Sequence, residues 1–201
     1  NLYAFSEAAA KIPSLDDSDL LEMIDIGGPT LLRASAKNHR NVIVACDPSR
    51  YAEILTALSV ADEPAAISSN LRQELALATF QHTAGYDVAI STELHNRWIG
   101  DPAESDEQVE AATRLPSKLL SVSQRSHVLR YGENSHQAAA LYVDPDAVTN
   151  EAITLVTAQV EGDKAMSYNN YADADACLRL CRSLSTDEWP DTPHVCVIVK
   201  H

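Results

Sequence analysis

Residues 24–58 read IDIGGPTLLRASAKNHRNVIVACDPSRYAEILTAL, and the order of segments within them is the clearest indication of the fold. Gly27 and Gly28 precede Pro29, and proline is favoured in the first turn of a helix, where its missing N–H is no loss. We predict a helix from about Pro29 to Lys37, a buried β-branched strand in NVIVACD and a second helix in PSRYAEILTAL. This alternation of strand and helix is typical of a parallel α/β sheet.

The flanking segments extend this pattern. NLYAF, residues 1–5, resembles the end of a strand, and SDLLEMI resembles a short helix that Asp16, Asp17 or Ser18 could cap. Between residues 70 and 98 apolar side chains recur at intervals of three and four without a proline, which predicts one long helix with a break near Gly85.

The second half of the chain has a different composition. Residues 101–123 are polar, contain two prolines and several acids, and fit a linker between a domain of residues 1–100 and a domain of residues 124–201. In the second domain we predict a helix in NNYADADACLRLCRSL and strands in SHVLRY, AAALYV, ITLVTAQV and HVCVIVKH. The fold class is therefore α/β in both domains.

Composition and charge exclude several classes of function. The 201 residues carry 29 acidic against 15 basic side chains, and a net charge of −14 opposes binding to nucleic acid. No apolar stretch approaches the ~20 residues that span a bilayer, so we expect no membrane association and a cytoplasmic location. The spacing of the four cysteines lacks the pairs of a zinc site, which predicts buried free thiols and no metal. Because the chain begins with Asn rather than Met, we expect a fragment of a longer protein.

The segment IDIGGPTLLRASAKNH, residues 24–39, contains the first candidate site. Glycines that lead into a helix let backbone amides approach an anion at the positive end of the helix dipole. A tight turn that requires glycine is the alternative. Asp25 and Lys37 have the charges of an acid and a stabilising cation, although charged residues also occur at solvated helix ends.

Two further stretches have the composition of a site. In LRYGENSHQAAALY, residues 129–142, a run of polar side chains without an apolar period indicates either a site or a solvated turn. The other stretch combines MSYNNYADADA with the terminal VIVKH, in which Lys200 and His201 end a predicted buried strand. Open α/β sheets place ligands at such strand ends, and an exposed strand end is the alternative.

All these segments, together with NLYAF, occur in this order and spacing in one family. The chain resembles the bacterial form of the bifunctional enzymes of purine biosynthesis that combine aminoimidazole carboxamide ribonucleotide (AICAR) formyltransferase with IMP cyclohydrolase. The resemblance covers essentially all 201 residues, and the glycine turn together with LRYGENSHQ is highly specific.

The resemblance implies a two-domain, homodimeric enzyme. Residues 1–100 would be the rear part of a methylglyoxal-synthase-like domain that cyclises formyl-AICAR to IMP. Residues 124–201 would begin a cytidine-deaminase-like α/β domain that transfers a formyl group from 10-formyltetrahydrofolate to AICAR.

In the first domain, the resemblance implies catalytic roles for Tyr3, Asp25 and Lys37. It also implies that four residues hold the nucleotide: Asn1, Ile26, Gly27 and Gly28. Ring closure accepts these side chains, because a cation or phenol can steady the developing oxyanion while Asp25 orients the attacking amide. Ala4 stands where the family usually has a proline, which releases a fixed φ angle beside Tyr3.

In the second domain, the resemblance implies that Arg130, Tyr131 and Asn170 hold the nucleotide. His136, Lys200 and His201 would lie at the reacting end, where His201 takes a proton from the attacking amine and Lys200 stabilises charge. Ser135 replaces a second family proline, so the loop before His136 is expected to be looser.

One alternative comes from another class of protein. Methylglyoxal-synthase-like domains also serve as regulatory modules that bind small anionic effectors without catalysis. Such a module would account for residues 1–100, but LRYGENSHQ followed by MSYNNYADADA and VIVKH would not be expected in it.

Overall fold

A computed structural model describes residues 1–11, 15–60, 67–100, 115–144, 155–156, 158–161, 164–184 and 195–199. The chain divides into two compact units, Asn1–Leu120 and Ser121–His201. Lys200, His201 and most of the predicted linker lie outside the described residues.

The described part of the first unit is helical. Its helices are α1 (Phe5–Ala9), α2 (Asp17–Leu21), α3 (Gly27–Lys37), α4 (Tyr51–Val60, entered through a 3₁₀ turn at Pro48–Arg50) and α5 (Ser69–Ile99). Of the three candidate caps of α2, Asp16 is the one used, and its Oδ1 accepts a hydrogen bond from the Asp19 N–H at 2.8 Å. Ser68 caps α5 in the same way, through the Leu71 N–H at 3.2 Å. These side chains satisfy amides that the first turn of a helix leaves without a backbone partner.

Helix α5 runs without interruption through Gly85, so the predicted break there is wrong. Its amino-terminal half packs on α3 in a core of buried apolar side chains, which are Leu32, Ala36, Val44, Ile54, Leu75 and Ala76. Its carboxyl-terminal half contributes Tyr86 and Ile90 to a second cluster, which contains Phe5, Ala8 and Leu20. Contacts along much of the helix therefore offset the low helix propensity of one glycine.

Two predicted strands of the first unit are not formed among its described residues. Phe5 begins α1 instead of ending a strand, and residues 42–47 have no regular structure. The predicted burial of NVIVACD holds only at Val44, which is 5% exposed, because its other residues are half-buried or exposed. A strand requires a hydrogen-bonding neighbour, and the described residues of this unit offer none. The predicted parallel sheet is thus not present in that part of the chain.

The described part of the second unit contains β1 (Gln124–Val128), β2 (Ala140–Val143) and α6 (Tyr168–Leu184). The two strands pair antiparallel, with Gln124 opposite Val143 and Val128 opposite Ala140. The strands predicted in SHVLRY and AAALYV and the helix predicted in NNYADADACLRLCRSL are confirmed. In contrast, the described residues of ITLVTAQV and HVCVIVKH form no strand.

The described residues also bear on the cysteines, on membrane-spanning helices and on metal sites. None of the four cysteines forms a disulfide, but Cys196 is exposed and the other three are only half-buried, so the predicted burial is wrong. No described helix has the length and hydropathy needed to cross a membrane. Within the same residues, His, Cys, Asp and Glu side chains form no group of three or more that could hold a metal ion.

Candidate functional site

The carboxylate of Asp25 lies at the amino-terminal end of α3. Its Oδ1 accepts a hydrogen bond from the Gly28 N–H at 2.7 Å, and its Oδ2 accepts one from the Tyr3 N–H at 3.3 Å. Free amides and the positive end of the helix dipole both favour a negative charge here. Both carboxylate oxygens are therefore held by backbone donors, one of them 22 residues from Asp25 in the chain and the other three residues away.

Gly28 is required by close packing in this arrangement. A Cβ atom on Gly28 would lie 2.9 Å from Asp25 Cγ and 3.0 Å from the Asn1 carbonyl oxygen, whereas a Cβ on Gly27 would meet nothing within 4 Å. The structure thus brings together Asn1, Tyr3, Asp25 and Gly28, with exposed Ile26 and Gly27 beside them. We call Asn1, Tyr3, Asp25 and Gly28 the Asp25 cluster.

Tyr86 of α5 contacts the Asp25 cluster through the backbone of Asp25. The Asp25 N–H donates a hydrogen bond to the Tyr86 hydroxyl oxygen at 2.8 Å, and that hydroxyl donates to the Met23 carbonyl at 3.3 Å. Burial raises the pKa of the Tyr86 phenol. In the sequence, Tyr86 fits the apolar spacing of the long helix. Nothing local indicates that its hydroxyl meets a residue 61 positions earlier.

Lys37 is not part of the Asp25 cluster. It is the last residue of the eleven-residue α3 and is exposed. At a rise of about 1.5 Å per residue, it lies roughly 15 Å along the helix axis from Gly27. Its ammonium group complements the negative end of the helix dipole.

The second candidate site is the loop of residues 130–137, which we call the Arg130 loop. The Arg130 guanidinium lies over the Tyr131 ring, 4.7 Å from its centroid, and its Nη2 donates to the Tyr131 hydroxyl oxygen at 2.9 Å. These contacts lower the pKa of Tyr131, chiefly through the hydrogen bond from Arg130 and further through one from Ser167. The cation therefore favours the phenolate form of Tyr131.

Gln137 closes the Arg130 loop. Its carbonyl accepts a hydrogen bond from the Gly132 N–H at 2.9 Å, and its side-chain Oε1 accepts one from the Asn134 N–H at 2.9 Å. Gly132 is buried, and a Cβ there would lie 2.9 Å from Gln137 Cβ. Ser135 and His136 lie at the exposed tip of the loop. The polar run is thus an ordered turn, in which Gln137 holds the backbone of Gly132 and Asn134.

The segment before α6 is joined to the same loop. Backbone hydrogen bonds connect the Arg130 N–H to Met166 at 2.9 Å and the Tyr168 N–H to Tyr131 at 3.0 Å. Asn170 Oδ1 accepts from both the N–H and the hydroxyl of Ser167, at 3.0 Å and 2.9 Å. Two distant stretches, LRYGENSHQ and MSYNNY, therefore form one surface that contains three of the implied nucleotide-holding residues, namely Arg130, Tyr131 and Asn170.

A cavity of about 420 Å³ lies beside the base of the Arg130 loop, where Leu129 and Met166 are among its lining residues. Its lining includes Val128 of β1, Tyr171 of α6 and also Lys164, which precedes α6. None of the described site residues implied by the sequence lines it. The candidate site of this unit is therefore the surface of the Arg130 loop and not this cavity.

Known proteins resemble this chain over most or all of its length. A family model described as AICARFT/IMPCHase bienzyme matches residues 35–201. The chain is similar to the bifunctional purine biosynthesis protein PurH of Deinococcus radiodurans, with 40% identity, and to that of Persephonella marina, with 37% identity, over 201 residues in each case. Each alignment covers 100% of this chain and 34% of the relative, so the chain spans about a third of the length of these curated relatives. Because the family model matches most of its residues, the chain belongs to the AICARFT/IMPCHase bienzyme family.

Proposed function

We propose that these 201 residues act within a longer bienzyme that transfers a formyl group from 10-formyltetrahydrofolate to AICAR and cyclises formyl-AICAR to IMP. The observation that carries this proposal is the family match, which extends through residue 201 and so includes residues of both compact units. The regulatory-module alternative would account for the first unit alone.

The ring-closing half is assigned to residues 1–100, as the rear part of a methylglyoxal-synthase-like domain. In this reaction the carboxamide nitrogen attacks the formyl carbon, and the formyl oxygen becomes an oxyanion. One proton from the carboxamide nitrogen and one from the formamide nitrogen convert that oxygen to water, which departs as the C=N bond of the new ring forms. The Asp25 cluster supplies a carboxylate that can orient the carboxamide N–H and an exposed phenol, Tyr3, that can donate to the oxyanion. The open space at Gly27 allows the nucleotide to approach the helix backbone.

Lys37 is assigned as a cation of the same reaction, on the family resemblance. Its place at the far end of α3 restricts how it acts, since its backbone lies about 15 Å from that of Gly27 along the helix axis. It would therefore act on a part of the nucleotide that extends along α3 or through a change in conformation.

The formyl-transfer half is assigned to residues 124–201, as the start of a cytidine-deaminase-like domain. The planar fork of Arg130 suits a phosphate or a carboxamide, and the hydrogen bonds of Gln137 hold the Arg130 loop before any substrate arrives. His201 would accept the proton of the AICAR amine as the nitrogen attacks the formyl carbon, and Lys200 would stabilise the tetrahedral oxyanion. His136 would lie at the reacting end, and the folate nitrogen leaves with the proton that balances the transfer.

The wider assignments follow from the same proposal. The boundary between the compact units, at residues 120 and 121, falls within the proposed linker of residues 101–123 and supports that division. We assign the enzyme to the cytoplasm as a homodimer, with nucleotides and the folate as its small-molecule partners.

The direct test uses the complete polypeptide that carries these residues. With AICAR and 10-formyltetrahydrofolate, we expect formyl-AICAR to form first and IMP afterwards. Chromatography of the nucleotides measures both products. Formyl-AICAR supplied alone should give IMP without folate. An enzyme that is folded and dimeric but converts neither substrate would refute the proposal.

A further inference from the structure

Tyr86 contacts the ring-closing site through the backbone of Asp25, although the sequence places it in the middle of a packing helix. We propose that Tyr86 is a positioning residue for ring closure, which orients Asp25 through the hydrogen bond from the Asp25 N–H to the Tyr86 hydroxyl. This inference rests on the proposed function, since it assumes that Asp25 acts on the nucleotide.

The segment between α2 and α3 is short, and Tyr86 binds it at two points. Its hydroxyl accepts from the Asp25 N–H at 2.8 Å and donates to the Met23 carbonyl at 3.3 Å. These two groups lie two residues apart, so one phenol fixes the peptide planes on either side of Ile24. The direction in which the Asp25 side chain leaves the backbone is set by these same planes.

The Asp25 carboxylate is held separately, by the Gly28 and Tyr3 amides at 2.7 Å and 3.3 Å. Backbone and side chain of Asp25 are thus fixed by donors and acceptors from three places in the chain. Loss of the phenol would leave the carboxylate bound to the helix amide but would free the peptide that carries it.

The Tyr86 ring is itself held in place. It packs edge-on against the ring of Phe5, with centroids 6.3 Å apart, and Phe5 is 1% exposed. Burial raises the pKa of the phenol, so its proton remains in place near neutral pH and the hydroxyl can donate and accept at once. A ring held this firmly suits positioning, because the hydroxyl has little freedom to follow a displaced Asp25.

Packing alone is the competing explanation, and Tyr86→Phe separates the two because it keeps the ring and removes the hydroxyl. A displacement of a catalytic group by about 1 Å can cost ~10²-fold in rate. We expect Tyr86→Phe to lower kcat for ring closure by roughly 10-fold to 10²-fold, with KM for formyl-AICAR and the rate of formyl transfer nearly unchanged. Tyr51→Phe is the matched control, since Tyr51 is an exposed tyrosine of α4.

The decisive experiment is a double-mutant cycle of Tyr86→Phe and Asp25→Asn in the complete enzyme, with ring closure measured at saturating formyl-AICAR. If Tyr86 acts through Asp25, its substitution should lower kcat in the wild-type background and have little further effect in Asp25→Asn. Equal fold-losses in both backgrounds, or no loss in either, would overturn the inference while leaving the proposed function intact.

Two other outcomes are also informative. If Tyr86→Phe does not fold, Tyr86→Leu, which is apolar and cannot form these hydrogen bonds, takes its place in the cycle and is judged by the same coupling. If the unaltered enzyme forms no IMP from formyl-AICAR, the proposed function fails and this inference fails with it.

Discussion

Adjacent glycines at the start of α3 have different surroundings, and this difference gives a prediction for single residues. Gly28→Ala would force the Asp25 carboxylate and the Asn1 carbonyl away, because its Cβ would lie within 3.0 Å of both groups. Such overpacking typically costs about 1–3 kcal/mol of stability, and the displaced carboxylate should slow ring closure by ~10²-fold. Thermal unfolding and initial rates in the complete enzyme are the measurements.

Gly27→Ala is the control for that change. Its Cβ would meet nothing within 4 Å, and its φ angle is not positive. Alanine has the higher helix propensity, so stability should stay the same or increase by up to ~1 kcal/mol. Equal losses of stability in the two variants would contradict the packing described for the Asp25 cluster.

Lys37 allows a test in which the family resemblance and its position in α3 give different results. If Lys37 acts in ring closure, Lys37→Ala should lower that rate by ~10²-fold or more and leave formyl transfer nearly intact. The measurement is both rates on one preparation. An unchanged ring-closure rate would assign Lys37 to a solvated helix end, which is where the structure places it.

The Tyr131 phenol gives a prediction about pH. The Arg130 cation favours the phenolate, so Arg130→Gln should raise the pKa of Tyr131 back toward its ordinary value of 10.0, with the Ser167 contact retaining part of the decrease. A titration of labelled tyrosine rings by NMR measures this, with the Tyr131 signal assigned from Tyr131→Phe. Arg125→Gln removes an arginine of β1 instead and should leave that pKa unchanged. A pKa that falls in Arg130→Gln would show that the described contact is not formed.

At the scale of elements, α5 contains a glycine that its environment does not require. Gly85 lies inside the helix, its φ angle is not positive, and a Cβ there would meet nothing within 4 Å. Gly85→Ala should therefore stabilise the first unit by about 0.5–1 kcal/mol. Thermal unfolding should show a higher Tm. A lower Tm would mean that the helix is broken or bent at Gly85, as the sequence first suggested.

The elements also show what a single sequence can predict. Helices α2, α3, α5 and α6 were predicted close to their observed positions, because caps, proline placement and apolar spacing are local signals. Strands depend on partners elsewhere in the chain, so NVIVACD revealed the burial of Val44 but not whether a strand forms beside it. Among the described residues only β1 and β2 pair with each other, and they lie within 20 residues of each other in the chain.

At the scale of the whole molecule, the sequence indicated two candidate regions, and the structure brings several residues of each region together, but the sequence did not define which residues each group contains. It did not show that Tyr86 would reach Asp25, since that contact joins residues 61 apart. It also grouped Lys37 with Asp25, although a continuous helix keeps them apart. Long-range packing decides the first outcome and is not encoded in local patterns, whereas the second follows from the length of α3.

The central claim is that the Asp25 cluster serves ring closure and the Arg130 loop serves formyl transfer, as separable sites in one polypeptide. The most direct measurement compares both rates in Asp25→Asn and Arg130→Ala variants of the complete enzyme, each with its own substrate supplied. We expect Asp25→Asn to lose ring closure by ~10²-fold or more with formyl transfer retained, and Arg130→Ala to show the reverse. If either variant loses both activities equally while remaining folded, or if the losses are exchanged, the assignment of the two sites is wrong.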